Sequence, residues 1–349
     1  MSFEENIRKV VPYTTGEQPQ KKVIKLNTNE CPYSPSPRVA QAIKEMDIDA
    51  LRKYPDPVCA SLVSSLAKYY GLSDDQVFVG VGSDDVLSMC FLTFFAGQKP
   101  IIFPDITYSF YEVWADVYRI PYKVIPLNDN FDINVSDYTC DNGGVVIANP
   151  NAPTGVAESL ENIEEIVKNN QNSIVIVDEA YIDFGGESAI GLVNKYENVI
   201  VTRTMSKSRA LAGMRIGYAF GPAKLIKYLN DVKFSVNSYT MNMPALLAGK
   251  AAIEDDEYFT EIRDKVVATR EWCKKELKEL GFTFRDSKTN FIFARPPKGN
   301  AKEIFEKLKE NDIYVRYFNK PRINEYLRIS IGTDDEMKNF FEVLKKILC

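Results

Sequence analysis

The sequence predicts an α/β fold in which a large domain, built on a mostly parallel seven-stranded sheet, is joined to a smaller α+β domain. Three observations carry this expectation. The 349 residues exceed what a single typical core organises, so two cores are expected. Between about residues 60 and 235, short β-branched runs alternate with longer amphipathic stretches, which is the pattern of βαβ units. After Pro244 the texture changes to long charged helical stretches with a few short strands among them.

In chain order, the first 37 residues or so are rich in Pro, Asn and Thr with little periodicity. They read as an arm laid over the small domain or a dimer partner. Residues 38–243 are assigned to the large domain and 244–349 to the small one. Seven runs qualify as strands of the large sheet: Val77 to Val81, Ile101 to Phe103, Lys123 to Pro126, Val145 to Ala148, Ile174 to Val177, Val199 to Thr202 and Ile216 to Phe220. Their near-continuous apolar character predicts burial on both faces. The small domain is expected to contain a helix from Asp256 to Leu280, a strand from Phe291 to Ala294, and a helix from Ala301 to Asn311. Strands at Tyr314 to Tyr317 and Leu327 to Ile331 and a terminal helix from Asp335 to Leu348 complete it.

Composition removes several function classes. A net charge of -5 with interspersed signs gives no extended basic surface for nucleic acid and no polybasic membrane tether, which leaves small molecules as partners. No stretch approaches the ~20 apolar residues of a membrane span, and no charged-then-apolar leader opens the chain. Cys31, Cys59, Cys90, Cys140, Cys273 and Cys349 are scattered without a close pair, which argues against a disulfide framework or zinc site and for a reducing cytoplasm. Histidine is absent, so Ser-His-Asp and Cys-His systems, histidine-ligated metals and the usual near-neutral base are excluded. Lysine is the leading substitute.

The chemically informative residues follow the carboxyl ends of the expected strands, the edge at which open α/β sheets bind ligands. Gly82-Ser83-Asp84-Asp85 opens a helix, so free N–H groups and the helix dipole face any anion there, although the same residues also make an ordinary N-cap. Ser206 and Arg215 flank Lys207 with a hydroxyl and a guanidinium suited to a phosphate. Asp178 ends a buried strand, where an unpaired charge is costly and needs a cation. A protonated pyridine nitrogen would serve, as would an arginine. Tyr181 is placed to reach a ring oxygen, Tyr108 to stack a planar ring, and Asn149 to Gly155 forms a rigid turn beside an amide. Lys207 with Asp178 and Tyr181 is the set needed to hold pyridoxal phosphate as a Schiff base. Arg328 and Arg316 lie on short apolar strands, with forks suited to a carboxylate or phosphate.

Taken together, the order Tyr54-Pro55-Asp56-Pro57, Gly82-Ser83-Asp84, Tyr108, Pro153-Thr154-Gly155, Asp178-Glu179-Ala180-Tyr181, Ser206-Lys207, Arg215 and Arg328 resembles the fold-type-I pyridoxal-phosphate aminotransferases. Within them it is most similar to the histidinol-phosphate aminotransferases. The match also takes in Leu26-Asn27-Thr28-Asn29-Glu30 and Leu327 to Gly332, nearly the whole chain. The resemblance implies the type I transferase fold, a homodimer with shared active sites, and transamination between L-histidinol phosphate and 2-oxoglutarate in histidine biosynthesis. It implies that Lys207 forms the covalent link and moves the proton. By the same resemblance Asp178 pairs with the ring nitrogen, Tyr181 bonds the ring oxygen and Tyr108 stacks. Gly82, Ser83, Asp84, Ser206 and Arg215 hold the phosphate, with Tyr54 reaching it from the neighbouring subunit. Arg328, Arg316 and Asn29 are placed with the substrate. The family has asparagine immediately before Pro-Thr-Gly; here Ala152 stands there, and Asn151, one residue earlier, is expected to take over. An aromatic or broad-range aminotransferase and a threonine-phosphate decarboxylase-like lyase would share the cofactor residues.

Overall fold

The computed structural model describes residues 3–349. Its strands are β1 (Ile24–Lys25), β2 (Val77–Gly80), β3 (Ile101–Pro104), β4 (Tyr122–Ile125), β5 (Gly144–Ala148), β6 (Val175–Asp178), β7 (Val199–Thr204), β8 (Gly217–Phe220), β9 (Thr283–Phe284), β10 (Phe291–Arg295), β11 (Ile313–Tyr314), β12 (Arg316–Tyr317) and β13 (Leu327–Ser330). Its α-helices are α1 (Pro37–Lys44), α2 (Ala60–Tyr70), α3 (Gly82–Phe94), α4 (Phe110–Tyr118), α5 (Leu160–Asn169), α6 (Ala223–Val236), α7 (Met243–Ile253), α8 (Asp256–Glu279), α9 (Ala301–Glu310) and α10 (Asp334–Leu348).

The apolar runs explain the central sheet. Strands β2 to β8 form seven neighbours in the order β2-β8-β7-β6-β5-β3-β4, all parallel except β8, which runs against β2 and β7. Side chains of a strand alternate between faces, and both faces are covered in every strand of this sheet except β4, the edge strand, whose Tyr122, Lys123 and Val124 are exposed against the expectation of burial. Val145, Ile147, Val175, Val177, Val199 and Val201 enter one core with Leu62 and Leu66 of α2 and Ile163 and Ile166 of α5. Val146, Ile176 and Ile200 enter the opposite core with Phe91 of α3, Trp114 of α4 and Leu229 of α6. A run that must be apolar at every position loses the period-2 alternation of a half-exposed strand, as the sequence shows.

A further core gathers β10, β13 and helices α8, α9 and α10 around Val266, Phe291, Ile304, Ile329 and Phe340. Two expectations are corrected here. Helix α7, beyond the boundary drawn at residue 243, buries Ala245, Ala248, Ala252 and Ile253 against the large sheet's core, so that core extends through Ile253. The single strand expected over Tyr314 to Tyr317 divides at Val315: β11 pairs in parallel with β1 of the arm, while β12 pairs with β13. Sequence composition does not reveal this division, because partner choice is a tertiary property. Arm residue Leu26 is buried in the same further core.

Two arginine forks are among the contacts that tie the units together. Arg285 clasps Asp132 through both guanidinium nitrogens at 2.6 and 2.9 Å. Arg322 bonds Asp105 at 2.7 Å and the carbonyls of Leu127 and Asn128. Planar forks of this kind fix orientation as well as distance.

Gly217, the first residue of β8, is where the reversed strand passes the start of α3. A Cβ there would collide with the backbone of Gly82 and Ser83. Backbone cannot yield as a flexible side chain does. Gly217→Ala is therefore expected to lower stability by roughly 1–3 kcal/mol, the usual cost of overpacking. Denaturant titration checks this, and an unchanged midpoint would show that the turn is not close-packed.

Candidate active site

The loops that follow β2, β3, β5 and β6, and the one that joins β7 to β8, converge on one cavity of about 190 Å³. The arm and strands β12 and β13 close it from above. Five connections of the sheet thus contribute because parallel strands present all their carboxyl ends at one edge. The reversed β8 brings Arg215 there as well, since its amino end lies at that edge.

Asp178 forms the floor. It ends β6, is only 5% exposed, and lines the cavity. Its carboxylate accepts from the Tyr111 hydroxyl at 2.8 Å, the Ala180 amide at 3.2 Å and the Thr202 hydroxyl at 3.3 Å. It forms no ion pair among the described residues. Burial pushes its pKa up to about 6, Asp84 adds to the rise, and the three donors oppose it. The neighbouring acid has another fate: Glu179 is paired in the interior with Arg203 at 2.8 Å and capped by Ser188 and the Ala189 amide. Arg203 also reaches Asp183, which accepts from Ser208, so this network anchors the loop carrying Lys207.

At the opposite wall is an anion cup. Helix α3 begins at Gly82, whose φ of +82° suits glycine and whose missing side chain makes room for Arg215: a Cβ would lie 2.5 Å from the guanidinium. Ser83 and Asp84 occupy its first turn with amides that have no helical partner. Arg215 bonds the Ser206 hydroxyl and the Asp84 carboxylate, each at 3.4 Å, and Asp84 accepts from Tyr108 at 2.8 Å. Burial and the Asp84 charge hold the Tyr108 phenol well above its ordinary pKa, so it stays neutral. The Lys207 ammonium lies between cup and floor, donates to the Thr28 carbonyl at 3.0 Å, and sits 5.7 Å from the centre of the Tyr181 ring.

The roof is cationic. Arg316 and Arg328 lie directly opposite each other on β12 and β13. Neither has a carboxylate partner among the described residues: Arg316 donates to the carbonyls of Thr14 and Thr15, and Arg328 to that of Asn27. The buried Nε of Arg328 has no partner. Burial, with Arg316 adding, lowers the proton affinity of the Arg328 guanidinium, although arginine remains charged. Like charges facing each other across a ladder are unfavourable unless an anion joins them.

Two sequence expectations find their residues outside this cavity. Asn151 is fully occupied in holding the turn: its amide nitrogen donates to the Ile106 carbonyl and the Thr154 hydroxyl, and its oxygen accepts from Thr107. It therefore does not take over for Ala152, whose methyl group lines the cavity instead. Tyr54 is 79% exposed and stacks on Tyr239 at 4.6 Å, away from its own chain's cavity. Asn29 is in the cavity wall and bonds Tyr181. Tyr111, Phe318, Tyr13 and the carbonyls of Asn27 and Thr28 were not legible in the sequence. Tyr111 is one of 19 tyrosines, and a backbone carbonyl has no residue signature.

A family model described as aminotransferase class I and II matches residues 21–344. A histidinol-phosphate aminotransferase of Clostridium botulinum is 52% identical over 345 residues, 98% of each chain. One of a Marinomonas species is 54% identical over 349 residues, 99% of each. In fold, the chain superimposes with a TM-score of 0.85 on the crystal structure of histidinol-phosphate aminotransferase from Sinorhizobium meliloti in complex with pyridoxal-5'-phosphate, at 24% identity over 94% of this chain and 92% of that one.

The raised pKa of Asp178 gives a pH-dependent prediction. With its folded value near 6 against an ordinary value of 3.8, the buried carboxyl favours folding below about pH 4, and this contribution is lost as pH rises through 6. Asp178→Asn should therefore stabilise the cofactor-free chain at pH 8 by up to roughly 3 kcal/mol relative to its effect near pH 4. Thermal unfolding across that range tests it; a pH-independent difference would contradict the assignment.

Proposed function

Because the chain belongs to the class I and II aminotransferases, we propose that it transfers the amino group of L-histidinol phosphate to 2-oxoglutarate, with pyridoxal phosphate held in the cavity described above, as a step of histidine biosynthesis. The observation that carries the cofactor assignment is the buried Asp178 carboxylate, which faces the cavity without a cation, opposite a cup of helix-terminal amides with Ser206 and Arg215. A ligand with a protonated ring nitrogen at one end and a phosphate at the other satisfies both. When bound, pyridoxal phosphate supplies an aldehyde that condenses with amines and a ring that accepts electrons from the carbon losing its proton.

The chain's own groups take the remaining roles. Lys207 Nζ is the amine that would hold the aldehyde, and the same amine would carry the proton to and from the substrate carbon. Asp178 would keep the ring nitrogen protonated through a buried ion pair. Tyr108 would pack on the ring and Tyr181 would donate to its oxygen. Ser83, Asp84, Ser206 and Arg215 hold the phosphate through amide, hydroxyl and guanidinium donors. Arg328 and Arg316 receive in turn the phosphate of histidinol phosphate and the distal carboxylate of the glutamate pair, which explains how dissimilar substrates use one site. Exposure of Tyr54 outside its own cavity supports a homodimer in which it completes the partner's cup. The residue groupings 1–37, 38–243 and 244–349 remain useful as arm, cofactor unit and substrate unit, with α7 belonging to the second.

Protein reconstituted with pyridoxal phosphate is expected to make glutamate from 2-oxoglutarate in proportion to histidinol phosphate consumed, and Lys207→Ala to abolish this. Faster turnover with phenylalanine or tyrosine would reject the substrate assignment, and release of carbon dioxide from a phosphorylated amino acid would indicate a lyase. Arg328→Ala is expected to reduce kcat/KM about 10²-fold or more, corresponding to the 2–5 kcal/mol typical of a lost buried charge contact. Cofactor absorbance should be nearly unchanged, and unaltered kinetics would remove Arg328 from the substrate site.

A further inference from the structure

The orientation of the Tyr181 hydroxyl is fixed by a buried polar relay that reaches it from the far side of the cavity. Asn29 is 1% exposed and adopts a φ of +56°, a region asparagine tolerates better than most residues. Its backbone is clamped from two directions. Its N–H donates to the Ser330 hydroxyl at 3.0 Å, and its carbonyl accepts from the Asn290 amide at 2.9 Å. The Ser330 hydroxyl spends its one proton on the Asn29 side-chain oxygen at 2.8 Å. That bond fixes which way the amide lies, so the Asn29 nitrogen faces Tyr181 and donates to its hydroxyl at 2.9 Å. Ser330 and Asn290 are themselves buried.

A hydroxyl that accepts from Asn29 still has its own proton to give. No acceptor for that proton is present among the described residues, and Tyr181 lines the cavity. The neighbouring positions cannot replace it as donor: Ala152 contributes only a methyl group, and the Asn151 amide is committed to Ile106 and Thr154. We infer that Asn29, locked by Ser330, is a positioning residue that forces Tyr181 to act as a hydrogen-bond donor toward the ring oxygen of the cofactor. This inference rests on the pyridoxal-phosphate reading above. It differs from a role for Asn29 in touching substrate, because it acts through Tyr181. The relay also starts on β13, two residues beyond Arg328 and on the same face, so the strand that presents the anion receptor also sets the donor.

The test reads the bound cofactor rather than turnover. A proton given to the ring oxygen withdraws negative charge from it and lowers the proton affinity of the nitrogen joined to Lys207. That affinity appears as the pH midpoint of the visible absorbance change. Asn29→Asp places an acceptor where a donor stood, so Tyr181 turns its proton away from the ring and the midpoint should rise by about one pH unit. The new charge also acts directly, so the same substitution is measured with Tyr181→Phe, where only the direct effect remains and the shift should be less than half as large. Equal shifts in the two backgrounds would overturn the inference. If Asn29→Asp does not fold, the neutral Asn29→Leu and Ser330→Ala carry the same cycle. Each is expected to raise the midpoint by about a third of a unit, and to do nothing when Tyr181 is Phe; no shift in either single variant overturns it. A wild-type chain that gains no visible absorbance with pyridoxal phosphate would overturn both this inference and the cofactor reading, whereas absorbance lost in Lys207→Ala with a midpoint indifferent to Asn29 would overturn this inference alone.

Discussion

Charge held apart is the constraint on which this molecule is organised. Asp178 sits at the end of a central strand with hydroxyl and amide donors but no cation, and two arginines face the same cavity from the other side with carbonyl partners but no acid. Desolvated charge without a counter-ion costs several kcal/mol, and a folded chain tolerates it only where many donors or acceptors share it or a ligand supplies the missing sign. The donors to Asp178 are what keep the carboxyl from being driven further from its ionised form. Affinity for a ligand cationic at its ring and anionic at its ends is thereby built into the protein before anything binds.

The sheet makes this separation possible. Burial on both faces fixes the strands against slippage, because a one-residue shift would exchange the two cores. The strand ends are then rigid points from which short loops carry Ser83, Tyr108, Asp178 and Lys207 toward one another. Beneath the Lys207 loop, the buried Glu179–Arg203 pair joined to Asp183 and Ser208 holds the amine in position. The acidic pair Asp178-Glu179 thus divides its labour: one carboxylate is left uncompensated for a ligand, and its neighbour is neutralised to support the scaffold. Supporting contacts of this kind decide whether a reactive group is held closely enough to work.

The arm joins the two ends of the cavity. Within three successive residues, the Asn27 carbonyl accepts from Arg328, the Thr28 carbonyl accepts from Lys207, and the Asn29 amide donates to Tyr181. A segment with no periodicity therefore touches every principal group of the site except the floor and the phosphate cup.

The sequence by itself determined the seven strands of the sheet, the helices α8, α9 and α10 with the strands β10 and β13 after Pro244, and most of the residues that gather at the strand ends. These follow from local properties: apolar runs without alternation, helix-starting glycine, and charges placed where burial makes them costly. Tertiary structure alone decided the rest. It showed that Val315 divides one apparent strand between two sheets, that α7 packs on the large sheet, that Asn151 is spent on its own turn, that Tyr111 meets Asp178, and that Asn29, held by Ser330, bonds Tyr181. Each of these depends on partners distant along the chain or on which of several donors a side chain meets. Periodicity and residue type record the burial of a position, but the direction of a hydrogen bond exists only once both groups have been brought together.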